Sequence, residues 1–155
     1  MAGNLWFSQM EDGDKVEVTQ RSTGCFHDTT SYYEVNKGRG AYTLSEYAIT
    51  WGSGKIQKKR LKASMKLTGK DIRGLDGLWK YYRSEKQGGS TTHVSLLAEY
   101  YEGDKRIKTE RLEDWSGGFG FEKEKDVVTF SGLIRRFERS RSKKEDAKKL
   151  FPPCG

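Results

Sequence analysis

The sequence contains no apolar run longer than a handful of residues, so no segment is expected to span a membrane. Its first residues, Met1-Ala2-Gly3-Asn4-Leu5-Trp6-Phe7, carry neither a basic leader nor an apolar stretch of signal-peptide length, which favours a cytoplasmic location. Cysteine is scarce. Cys25 and Cys154 are too few for a disulfide framework, and two separate thiols are expected over one bridge. Histidine is limited to His27 and His93. No Gly-rich loop running into Lys-Ser/Thr follows a strand pattern, and no N-glycosylation sequon occurs. The apolar fraction is low, 34% against 33% charged, which raises the question of disorder. An aromatic content of 12%, with four Trp and eight Tyr, answers it by supplying the burial that aliphatics do not.

Acid is missing from one long stretch. Residues 55–70 hold Lys55, Lys58, Lys59, Arg60, Lys62, Lys66 and Lys70 with no Asp or Glu among them. A second basic stretch, 135–149, holds Arg135, Arg136, Arg139, Arg141, Lys143, Lys144, Lys148 and Lys149 against Glu138, Glu145 and Asp146. The whole chain is only +7, so the remainder is acidic and the charge is polarised. Basic surfaces of this kind attract polyanions.

At 155 residues the chain suits one domain, which buries roughly 70% of its unfolded surface at this size. We place that domain over 1–140 and treat 141–155 as a basic helix end and tail. Val16 and Val18 alternate with polar neighbours, predicting a strand over about 15–21. Residues 22–30 are polar and turn-like. Tyr33 and Val35 mark a second strand, and Asn36-Lys37-Gly38-Arg39-Gly40 a turn. The third run slips phase between Leu44 and Tyr47, which a bulge near Ser45-Glu46 would explain. The fourth alternates cleanly, with Leu61, Ala63, Met65 and Leu67 on one face and Lys58, Arg60, Lys62, Ser64 and Lys66 on the other.

Period then changes. Ile72, Leu75, Leu78, Trp79 and Tyr82 define one side of a helix over 70–84, capped by Thr68, although Gly74 and Gly77 each cost about 1 kcal/mol relative to Ala. Strand patterns return at 92–101 and after the Gly103-Asp104 turn. That turn predicts Tyr100 opposite Ile107 and Glu99 opposite Lys108. A seventh strand is possible over 127–130, followed by a helix with Leu133, Ile134 and Phe137 inward, ended by Pro152-Pro153. The fold class is therefore α+β: an antiparallel sheet of six or seven strands with two helices.

The segment Leu75-Asp76-Gly77-Leu78-Trp79-Lys80-Tyr81-Tyr82-Arg83-Ser84, with its following Gly-rich loop and Thr91-Thr92, resembles a family of small uncharacterised bacterial proteins. Gly24-Cys25-Phe26-His27 and Glu110-Arg111-Leu112-Glu113-Asp114 are similar to two further stretches of that family. The resemblance implies one compact domain and no particular chemistry. Some members look exported, a feature this sequence does not share.

Candidate chemistry is thin. Cys25 and His27 share a side of an extended segment, the pairing that lowers a thiol's pKa in nucleophilic enzymes, but nothing supplies oxyanion donors. The plain alternative is a small turn Cys beside a surface His. Cys25, His27, His93 and Cys154 add up to a tetrahedral zinc set, yet their spacings fit no standard finger. No metal, cofactor or catalytic residue is therefore expected, and the protein is read as non-enzymatic. The tandem acids Asp12/Asp14, Glu113/Asp114 and Glu122/Glu124 lie in or beside polar loops, where solvated acids are ordinary.

Two binding readings remain. The favoured one is a protein-interaction module, inhibitory or immunity-like, because Trp6, Phe7, Trp51, Trp115, Phe119 and Phe121 lie in or near loops. Their plain alternative is to cap the core. The second reading is nucleic acid or another polyanion, gripped by Lys58, Arg60, Lys62 and Lys66 on the strand face and by Arg135, Arg136, Arg139 and Arg141 on the last helix. Tyr81, Tyr101 or Trp115 would add base stacking. The alternative there is a solvated sheet face whose lysines guard an edge.

Overall fold

The computed structural model describes residues 3–84, 91–115 and 127–150. It contains β1 (Asp14–Gly24), β2 (His27–Gly38), β3 (Ala41–Gly52), β4 (Lys55–Leu67), α1 (Gly69–Arg83), β5 (His93–Glu102), β6 (Lys105–Asp114) and α2 (Phe130–Leu150). The strands form one antiparallel sheet in the order β4-β3-β2-β1-β5-β6. Six strands and two helices make the α+β class that the sequence pattern predicts. The 127–130 segment does not become a seventh strand: 127–129 lie outside regular structure and Phe130 already opens α2.

Tight turns set the hairpins. Arg39 and Gly40 both take positive φ, as do Ser53 and Gly54, the conformation whose twist matches that of the flanking strands. At the β1–β2 end the strands run further than alternation implies, with Gly24 opposite His27 and only Cys25-Phe26 left to turn. The β5–β6 register also differs from the turn-based expectation. Ile107 stands unopposed, so Tyr100 faces Lys108 and Glu99 faces Thr109. Glu99 instead takes Arg106, 2.7 Å away.

One face of the sheet carries both helices. Its side chains include Val16, Val18, Tyr33, Val35, Leu44, Met65 and Leu67, against Ile72, Leu75, Leu78 and Trp79 of α1 and Phe130, Leu133 and Ile134 of α2. Aromatic rings tie the layers together. Phe130 stacks on Tyr33 at 5.1 Å and meets Trp79 edge-on at 5.7 Å, while Phe7 meets Trp79 at 4.8 Å. Phe7 is thus core, at 1% exposure, and Trp6 lies beneath the Arg83 guanidinium.

Thr68 caps α1 as expected and completes a capping box with Asp71. Gly74 has a reason beyond propensity. A Cβ there would stand 2.6 Å from Val128 Cγ2, and its carbonyl accepts from the Val128 N–H at 3.3 Å. The glycine lets the segment leading into α2 lie directly on α1. Asp71 then receives Arg136 of α2 at 2.9 Å. Burial opposes its ionisation, but the Thr68 bonds and Arg136 together hold its carboxyl below the ordinary range.

Candidate functional site

The β3–β4 hairpin outgrows its neighbours. β2 pairs with β3 only from Gly38↔Ala41 to Tyr32↔Tyr47. Beyond that, among the described residues, Ala48–Gly52 of β3 pairs with β4 alone, and 27–31 of β2 pairs with β1 alone. The sheet therefore splits. A two-stranded ribbon departs on one side of the split, and the β1–β2 hairpin stays on the other.

The cause lies in β4, which carries extra residues at two places. Glu46 faces Ala63 but Tyr47 faces Leu61, leaving Lys62 unopposed; Thr50 faces Lys58 but Trp51 faces Ile56, leaving Gln57 unopposed. Bulges bend a strand and increase its twist, which carries the ribbon away from β2. The Gln57 side chain closes the second by donating to the Gly52 carbonyl at 3.0 Å.

The bulge at Lys62 corrects the facial assignment drawn from alternation. Met65 faces Leu44 and Ser64 faces Ser45, so at that end the aliphatic side chains point to the core and Lys66 points away. Past Lys62 the sides exchange. Leu61 shares the outer face with Tyr47 and is 53% exposed, while Arg60 and Lys58 come to the helix-bearing face. The bulge expected near Ser45-Glu46 of β3 lies in β4 instead, at Lys62 opposite the Glu46–Tyr47 step. β3 itself pairs with β2 without a shift, and Tyr47, Ile49 and Trp51 simply occupy the outer side.

The expected cationic ladder is thus divided. Lys58, Arg60 and Lys62 lie on one face of the sheet and Lys66 on the other. Lys62 is bonded to Glu46 at 3.2 Å, and Lys59 is bonded to Glu34 at 2.7 Å while lying over the Tyr32 and Tyr47 rings. Lys55, Lys58 and Arg60 are exposed and make no ion pair among the described residues. On α2, Arg136 serves Asp71, Arg135 bonds the Ser131 carbonyl at 3.4 Å, and Arg141 approaches Glu145 at 3.7 Å. Arg139 lies on the exposed half of the helix, which runs to Leu150, just short of Pro152-Pro153.

The Tyr33 hydroxyl has its pKa raised, first by burial and further by Glu46, while Ser31 and the Arg135 charge oppose the rise. Glu46, the partner of Lys62, and Arg135 therefore both act on one buried phenol. Of the residues read as stacking platforms, Tyr81 is buried with its hydroxyl on Asp114 at 2.9 Å. Tyr101 lies under Lys15, and Trp115 stacks on His93 at 3.8 Å. Phe119, Phe121 and Cys154 lie outside the described residues.

The split encloses a cleft of ≈ 500 Å³. Thr30 and Ser31 of β2 form one lip. Ala48, Ile49 and Trp51 of β3 form the other, with Arg60 and Lys62 reaching in from β4. Its outer rim continues into exposed apolar surface: Trp51 at 53% and Ile56 at 41%, paired across the ribbon, with Leu61 alongside. The sequence reading missed Thr30, Ser31 and Ile49. Their signal was present only indirectly, in the phase slip between Leu44 and Tyr47.

Elsewhere the candidate chemistry is occupied by local structure. His27 Nε2 lies 3.0 Å from Ser22 Oγ, its ring rests over Gly24, and no hydrogen bond joins it to the exposed Cys25 among the described residues. Among those residues, no group of three or more His, Cys, Asp or Glu is placed to hold a metal. No described helix is long and apolar enough to cross a membrane. Comparison with known protein families, with curated sequences and with solved structures returned no match.

Proposed function

We propose that this protein is a non-enzymatic binding module whose partner is another protein, presenting an acidic and partly apolar surface to the β3–β4 ribbon. One observation carries the reading. The ribbon is amphipathic across its thickness, with Ile49, Trp51, Ile56 and Leu61 on one side, where Lys59 is already paired with Glu34, and Lys55, Lys58 and Arg60 on the other, and it contains no acid. Aliphatic surface beside a tryptophan is what protein interfaces reward, since tryptophan is enriched among the few hot-spot residues whose truncation costs about 2 kcal/mol or more. A phosphate backbone rewards cations in a continuous track, which the bulge at Lys62 interrupts. Nucleic acid is accordingly the second reading, resting on the exposed Arg139 and on Lys143, Lys144, Lys148 and Lys149 of α2.

Affinity capture with mass spectrometry tests this. Wild-type protein is expected to retain one dominant partner through moderate salt, and both Trp51→Ala and Arg60→Glu are expected to release it. A captured set dominated by nucleic acid, with a high absorbance ratio at 260 over 280 nm and loss in moderate salt, would favour the second reading instead.

A further inference from the structure

The cleft between β2 and β3 has a property that a merely exposed groove lacks: both of its lips are strand edges. Among the described residues, 28–31 of β2 pair on their β1 side only, and 48–51 of β3 on their β4 side only. Each lip therefore turns peptide N–H and C=O groups into the gap. Unpaired edges of this kind are templates for another strand.

We propose that the cleft receives an extended segment of the partner as an inserted strand, and that the segment alternates acidic and apolar residues. This rests on the protein-binding reading above and names its mode. β2 and β3 are antiparallel, so the insert is antiparallel to one lip and parallel to the other. The facing edges are short and admit about four to five residues at roughly 3.3 Å each. Successive side chains of the insert point to opposite faces of the sheet. Those on the helix-bearing side meet Arg60, Lys62 and the Ser31 hydroxyl; those on the outer side meet Tyr47, Ile49 and Trp51.

Charge selects among occupants. Among the described residues, the acids that stand near the gap are already paired: Glu46 with Lys62, Glu34 with Lys59, and Asp28 with Arg21 at 2.8 Å. Arg60 is left without an ion pair among the described residues, so a carboxylate on the insert completes it. A second copy of this chain offers the ribbon's own cations, and like charges placed opposite each other in a sheet are destabilising. Main-chain bonds give such complexes affinity, and alternate side-chain pockets give them specificity.

The probes are three fluorescent peptides built on Asp-Val-Asp-Leu-Asp: the plain peptide, a sequence-scrambled one of equal composition, and one with alternate backbone amides N-methylated. Fluorescence anisotropy at low salt against the intact protein is expected to show binding of the plain peptide. Scrambling, and independently Trp51→Ala or Arg60→Ala, is expected to weaken it about tenfold. N-methylation, which leaves charge and side chains intact, is expected to abolish it. Equal binding of the plain and methylated peptides would overturn strand insertion while leaving an acidic partner in place. Failure of all three peptides, together with failure of polyglutamate, would overturn the protein-binding reading itself. Concentration-dependent dimerisation that the plain peptide cannot compete away would assign the cleft to a second copy and likewise overturn the proposal.

Discussion

Two polar regions of this molecule, the Arg83 cluster under the helix-covered sheet and the β3–β4 ribbon, are built on opposite terms. In the first, the polar groups answer one another, Arg83 Nη1 being the one buried side-chain atom of the cluster without a hydrogen-bond partner among the described residues. Trp79 Nε1 donates to Tyr100 Oη at 2.7 Å, Tyr100 donates to Glu110 at 2.7 Å, and Arg83 grips both Glu110 oxygens at 2.8 and 2.9 Å while also bonding the Leu5 carbonyl. In the ribbon, cations of one sign and apolar side chains stand in solvent with few internal partners. A satisfied network fixes one structure, because a buried group that loses its partner costs free energy. The ribbon carries no such obligation, so its residues are free to serve a ligand. The contrast separates what holds the fold from what is available for recognition.

Substitutions can break or sharpen this contrast. Trp79→Ala is expected to have the largest effect, about 3–5 kcal/mol of stability by denaturant unfolding, since it empties the aromatic layer and orphans Tyr100. Glu110→Ala is expected to cost about 3 kcal/mol by leaving Arg83 buried without its carboxylate. Gly74→Ala comes next and inverts ordinary helix propensity. In an open helix it would gain about 1 kcal/mol, but against Val128 it is expected to lose about 1–3 kcal/mol. The combined change Lys58→Ala with Arg60→Ala is expected to shift stability by less than about 0.5 kcal/mol, while partner capture is lost. Should it instead unfold the protein, the division between the two regions would fail.

The pH profile checks the same division through titration. Burial works against ionisation of Glu110 and Asp71, yet Arg83 with Tyr100, and Thr68 with Arg136, hold both carboxyls below their ordinary values of 4.5 and 3.8. Their folded forms therefore release protons more readily than their unfolded ones. The stability they contribute is complete above those ordinary values and is lost as pH falls through the lower folded ones. Tyr32, Tyr82 and Tyr100 are pushed above their usual 10.0, first by burial and then by neighbouring acids. Their contribution is complete below that value and is lost at higher pH. A thermal-melt series is expected to show a plateau from about pH 5 to 9, with the acid limb reduced in Arg83→Met.

Much of the architecture was legible in the residues. The helical period through Ile72, Leu75, Leu78 and Trp79, the Thr68 cap and the Gly103 turn all appear where their chemistry places them. These are local rules, each satisfied within a few positions of the chain. The candidate site was legible only in composition. The acid-free stretch from Lys55 to Lys70 pointed to β4, but the alternation around Leu61 pointed its cations to the wrong face. Likewise the Gly103 turn predicted a β5–β6 register that the unopposed Ile107 displaces.

The sequence by itself determined that this chain forms an antiparallel sheet with two helices, and that one strand carries cations without acids. Apolar period and turn chemistry act over short distances and leave little choice. Only the tertiary structure decided that Lys62 stands unopposed, that Lys58 and Arg60 cross to the helix-bearing face, and that β2 and β3 part to open a cleft. Side chains alternate every second residue, so one unmatched residue reverses all that follow. That mismatch exists only once two strands, distant in the chain, have been laid side by side.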